Sequence, residues 1–162
     1  MNDAHLHMVV NHFPIIGTIL AIGILTAGLL SKNQSIINTS YVLFIIGAVF
    51  GVLSMNTGEG AEKMVEDMPS IGWKIIHEHE ELAEKMALLL NILAVLSLIG
   101  FYFQYKRNPK QKLVSYLILI IGIANLFVIQ KVGTSGGEIR HTEIRNSTSS
   151  TLSDKENTDH DD

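Results

Sequence analysis

The stretch LVSYLILIIGIANLFVIQKV, residues 113–132, decides the fold. Its run Leu117-Ile118-Leu119-Ile120-Ile121 shows none of the in–out alternation of a barrel strand. About twenty such residues, wound as a helix, cross a hydrocarbon core roughly 30 Å thick. Inside a bilayer every backbone polar group must be paired within its own segment, so the stretch reads as a transmembrane helix.

Three further segments, 8–30, 36–55 and 82–105, have the same character. The chain has 162 residues, 47% hydrophobic and 17% charged, and the apolar residues come in blocks rather than amphipathic stripes. Residues 1–145 are therefore expected to form an all-α integral membrane four-helix bundle. The polar, acidic segment 146–162 lacks the apolar area needed to fold and is expected to be a disordered tail. No Lys or Arg precedes the first span, which is also longer than the apolar core of a signal peptide, so it is expected to stay in the mature protein. The absence of cysteine excludes disulfides, thiolate metal sites and c-type haem attachment, leaving His, Glu, Asp and Met as ligands. With a net charge of −4, nothing resembles a nucleic-acid-binding surface. No nucleophile stands at a recognisable spacing from a base, which argues against a stand-alone enzyme.

Four spans place both termini on one side of the membrane. The short connections 31–35 and 106–112 contain Lys32, Lys106, Arg107, Lys110 and Lys112 and no acidic residue. Basic residues close to span ends favour the cytoplasm, so both termini are expected outside it. The longer connection, 56–81, mixes charges with Met64, Val65, Met68, Ile71, Trp73, Ile75 and Ile76. Part of it is expected to lie on the headgroup surface with Trp73 as anchor, and Met68-Pro69-Ser70 marks a break before the third helix.

An internal echo is visible. His5-Leu6-His7 before the first span matches His77-Glu78-His79 before the third, and Thr57-Gly58-Glu59-Gly60 after the second matches Thr134-Ser135-Gly136-Gly137-Glu138 after the fourth. Two parallel helical hairpins related by an axis along the membrane normal would gather these segments at one end of the bundle. Close helix crossings are expected at the small-xxx-small pairs Gly47 with Gly51 and Gly23 with Ala27, whereas Gly100, outside any such pair, is expected to tolerate a larger side chain. Asn91 and Asn125 are expected to face the interior and hydrogen-bond between helices. Asn11 suits a helix N-cap and Pro14 a first turn.

His5, His7, His12, His77, His79 and His141 lie at span boundaries on the outer side, beside Glu59, Glu62, Glu78, Glu80, Glu81, Glu84 and Glu138. Imidazole with carboxylate suits zinc, nickel, iron or copper(II) better than magnesium or calcium. His77, Glu81 and Glu84 share a face if the third helix begins early. Taken singly, each histidine is more often an interfacial side chain than a ligand. Taken together, His7, His12, His77, His79, Glu138 and His141 are candidate metal ligands. A b-type haem held between two imidazoles on different helices is the other ligand-based reading, with His12 and His79 the most helix-embedded pair and Glu138 a ligand or a partner behind one.

These residues carry a resemblance. His7-Met8-Val9-Val10-Asn11-His12-Phe13-Pro14 is similar to the opening H-x-x-x-x-H-F-P of a bacterial family of four-span membrane proteins of unknown function (DUF2231-like). His79 resembles that family's histidine leading the third helix, and Gly136-Gly137-Glu138 followed by His141 resembles its closing motif, with the last histidine sooner after the glycines than is usual. The likeness spans nearly all of the chain before the tail. It implies a four-span fold, a membrane location and, for some relatives, redox or haem association, with no established reaction. The expectation is a small accessory protein that binds a metal ion or haem b at its outer face, in a redox or metal-handling role. Its partners would be the lipid bilayer and other membrane or redox proteins. The reading from a different class is a structural or assembly subunit of a membrane complex without a cofactor.

Overall fold

The computed structural model describes residues 2–65 and 73–140, and its described elements are all helices. They are α1 (Asp3–Val10), α2 (His12–Ser31), α3 (Gln34–Val65), α4 (Trp73–Tyr105) and α5 (Gln111–Arg140). Four stretches are long and apolar enough to cross a membrane: Asp3–Ser31, which joins α1 to α2, Gln34–Met64, Trp73–Tyr105 and Gln111–Ile139. The protein is an all-α, multi-pass membrane four-helix bundle.

Each α-helix packs on its neighbours in chain order: α2 on α3, α3 on α4, α4 on α5, and α5 back on α2, with α1 lying on α3. The first and third spans therefore stand diagonally across the bundle. Leu25, Tyr41, Phe44, Leu90, Leu93 and Ile118 fill the centre with no exposure, while Ile19, Leu88, Leu98, Ile120 and Phe127 cover the outside. A helix apolar on every face is what a lipid surround permits and water does not.

The helices run further than the apolar spans alone indicate. α3 continues past residue 55 to Val65 and α4 starts at Trp73, so much of the connection expected on the headgroup surface is upright helix. Gly58, Gly133 and Gly136 are helical rather than terminating residues. The outer turns of α4 carry i,i+3 and i,i+4 pairs, Lys74 with Glu78, His77 with Glu80 and Glu81, and Lys85 with Glu81, which favour helix where the apolar run has not begun. The Met68-Pro69-Ser70 break and the tail from 146 lie outside the described residues.

Both inner turns are built alike. Lys32 (φ 52°) and Arg107 (φ 51°) are left-handed. The residue after each, Asn33 or Asn108, donates its backbone N–H to Gly28 O at 3.0 Å or Phe103 O at 2.8 Å, closing the helix in a Schellman-type turn. Each asparagine then accepts through Oδ1 from the start of the following helix, Asn33 from Ser35 N at 3.0 Å and Asn108 from Lys110 N at 2.9 Å. Two hairpins thus turn through the same pair of residue types, basic then asparagine.

The tight crossings differ from those expected. A Cβ on Gly100 would stand 2.6, 2.7 and 2.9 Å from Cε2, Cζ and the hydroxyl of Tyr41, and one on Gly28 would stand 2.8 Å from Ile37 Cγ1. At Gly51 the nearest atom is Leu90 Cδ1 at 3.3 Å, at Gly47 it is Leu90 Cδ2 at 3.9 Å, and Gly23 meets open space. The small-xxx-small spacing marks where a backbone can be approached, but the size of the opposing side chain decides where it is. Tyr41 is held there by a 2.7 Å hydrogen bond to Ser115 Oγ and an edge-on Phe101 ring at 5.3 Å.

Three asparagines also depart from expectation. Asn125 is fully buried, as expected, yet neither amide atom has a hydrogen-bond partner among the described residues. Asn91 is on the exposed face of α4. Asn11 does not cap with its side chain, because its backbone is itself helical (φ −66°, ψ −21°), and its buried Oδ1 has no hydrogen-bond partner among the described residues. What interrupts the span is Pro14, which offers no N–H to the Val10 carbonyl and crowds it with its ring.

Candidate functional site

At the mouth of the bundle opposite the two short turns, His7 of α1 reaches α3, its Nδ1 3.0 Å from the Ser54 carbonyl and 3.2 Å from Thr57 Oγ1. Across the mouth, His79 of α4 reaches α5, its Nδ1 2.9 Å from Ser135 Oγ. The two hydroxyls are themselves committed. Thr57 donates to Leu53 O at 3.0 Å or Ser54 O at 3.1 Å, and Ser135 donates to Val132 O at 3.2 Å. A hydroxyl whose proton has gone to a carbonyl can only accept from the ring. At His7 the Ser54 carbonyl, which can only accept, assigns the proton of the neutral imidazole to Nδ1 and leaves the lone pair on Nε2; at His79 the same tautomer goes with Ser135 donating to Val132 O. Neither Nε2 has a hydrogen-bond partner among the described residues.

The sequence echo is therefore a structural one. Carbonyl, hydroxyl and glycine follow in the same order on α3 and α5: Ser54, Thr57 and Gly58 around His7, and Val132, Ser135 and Gly136 around His79. A Cβ on Gly58 would lie 3.6 Å from His7 Cε1, and one on Gly136 only 3.0 Å from His79 Cε1, so each glycine lets a ring lie against backbone. His7 and His79 are near enough to interact electrostatically, on spans that are diagonal in the bundle.

The other candidates sit elsewhere. His12 is on the exposed face of α2, its Nδ1 3.0 Å from the Met8 carbonyl. His77 stacks on Trp73 with ring centres 4.9 Å apart and faces Glu80 and Glu81 at 3.7 and 3.4 Å, which engages it along its own helix. Glu138 lines an open groove of about 390 Å³ between α4 and α5, with Leu82 and Phe127 deeper and Glu78 and Lys131 nearer the mouth, and this groove reaches Ser135. His141 lies outside the described residues. Among the described residues no three His, Asp or Glu side chains converge as a metal shell.

Ser54, Thr57 and Ser135, which aim the two rings, were not singled out as site residues by the sequence. A signal was present: in both halves of the echo a hydroxyl directly precedes the glycine, Thr57-Gly58 and Ser135-Gly136. No family model, no curated protein and no solved structure matches the chain.

Proposed function

We propose that the protein holds a cofactor through Nε2 of His7 and Nε2 of His79 at the extracytoplasmic mouth of the bundle, and acts as an accessory redox component of a bacterial inner membrane. The observation that carries this reading is the matched pair of Nδ1 hydrogen bonds. Ligating histidines characteristically donate the other ring N–H to a carbonyl or similar acceptor, which fixes tautomer and orientation before the ligand arrives. Two such imidazoles suffice for a b-type haem, which brings its own equatorial donors; a bare metal ion needs further ligands, for which Glu138 and His141 are the candidates. Haem, when bound, supplies one-electron chemistry. The chain's part is to aim two lone pairs and to set the polarity around them. His7, His79 and Gly136, which carry the resemblance to the four-span family, meet at this mouth, and membership of that family is part of the same proposal.

The test is optical. Purified protein reconstituted with haem should give a Soret band and a six-coordinate, bis-imidazole spectrum at near one haem per chain. Should the protein bind neither haem nor a stoichiometric transition metal, the proposal is overturned. Orientation is checked separately: a reporter fused after Asp162 should report an extracytoplasmic location and one inserted near Asn108 a cytoplasmic one, and the reverse pattern would place the site on the cytoplasmic face.

A further inference from the structure

The outward face of α4 contains a seam. Leu88, Asn91, Val95, Leu98 and Tyr102 follow one another at alternating steps of three and four residues, and all five are exposed, with Leu88 at 61%, Val95 at 56%, Leu98 at 57% and Tyr102 at 58%. That repeat is the one that keeps a single face of a helix against a partner helix in a left-handed crossing near 20°. Asn91 sits within about a turn of the middle of 82–105, in the depth of the hydrocarbon, at the edge of a shallow groove with Ile92, Val95 and Leu96. Its amide makes no hydrogen bond within the described residues, and lipid tails offer none.

We propose that this seam docks on the same seam of a second copy of the chain, with the two Asn91 amides hydrogen-bonded to each other across a two-fold axis along the membrane normal. Several points select a second copy as the occupant. All copies insert in one orientation, so a symmetric contact through α4 brings the two Asn91 side chains to the same depth without adjustment. An asparagine amide carries both donor and acceptor, so a pair of them is self-complementary. A lone asparagine within an apolar heptad seam is also the device that fixes register and pairing in coiled coils, and polar amides hydrogen-bond between helices in membranes.

The chain has no cysteine, so single-cysteine variants report contacts cleanly. Leu88→Cys, Val95→Cys and Leu98→Cys, oxidised in membranes, should each give a crosslinked homodimer. Ala27→Cys on the outward face of α2 and Ile120→Cys on α5 should not. In liposomes, dimerisation followed by energy transfer between labelled chains should weaken at least tenfold in Asn91→Leu and be retained in Asn91→Gln, with helicity and thermal unfolding of the monomer unchanged in both. The proposal is overturned if the chain stays monomeric at every protein-to-lipid ratio, if crosslinks form at residue 27 or 120 in preference to the seam, if the seam crosslinks to a different protein, or if Asn91→Leu dimerises as wild type. None of these readouts depends on a cofactor at the mouth.

Discussion

His79→Ala and His7→Ala are each expected to abolish the bis-imidazole haem spectrum, the largest functional effect that the geometry implies. On the proposed reading, each variant would remove one of the two imidazoles that hold the haem. His12→Ala is expected to leave the spectrum intact, because that ring is on the exposed face of α2. Ser135→Ala and Thr57→Val keep both ligands but release a ring from its hydroxyl, and loss of such an orienting contact typically lowers affinity by about 10- to 100-fold. Haem titration across the five variants separates these cases. If His12→Ala abolished the band while His7→Ala retained it, the ligand pair would be His12 with His79 instead.

Gly100→Leu is expected to be the most destabilising substitution in the bundle interior. The added Cβ would stand 2.6 Å from a Tyr41 ring carbon, and that ring has nowhere to retreat. Phe101 is edge-on to it, and its hydroxyl is tied to Ser115 Oγ at 2.7 Å. Overpacking of this kind costs about 1–3 kcal/mol, and displacing Tyr41 leaves buried hydroxyls unsatisfied for about 1–3 kcal/mol more. Gly51→Leu meets the far end of the Leu90 side chain at 3.3 Å, which can rotate away, so its cost should stay near 1 kcal/mol. Thermal unfolding in detergent checks the order. Equal losses at the two glycines would mean that Tyr41 is free to move.

The four spans are legible because hydropathy is a property of composition along the chain and needs no tertiary information. The extra turns of α3 and α4 are not, since Gly58, Gly60 and Gly136 read as helix ends in isolation and are helical here. The histidine cluster at one end of the bundle was visible in sequence, but the matching hydroxyl contacts of His7 and His79 were not. Which imidazole turns inward depends on the helical phase relative to α3 and α5, and on hydroxyls whose own protons are already committed. The echo between halves was half legible: its outer motifs could be read, whereas the shared Lys32-Asn33 and Arg107-Asn108 turns emerge only from backbone angles and carbonyl partners. Asn91 and Asn125 show the same limit, for a polar residue in a span announces that it matters without announcing which way it faces.

The break in the first span makes the two halves of this duplicated bundle mechanically unequal. His79 rides on α4, whose helix is continuous from Trp73 to Tyr105, whereas His7 rides on the 8-residue α1, beyond the joint at Asn11, where Pro14 has no N–H to give the Val10 carbonyl. α1 rests on α3 through the contacts of His7 with Ser54 and Thr57 and through Asp3, which lies where Gly60 has no side chain. Moving α1 would disturb its packing on α3 but no helical rung of α2, while an equal displacement of His79 would bend a transmembrane rod. One jaw is an anvil and the other a hinged arm, so a cofactor held as proposed would meet His79 on a rigid rod and His7 on a short helix jointed to its span.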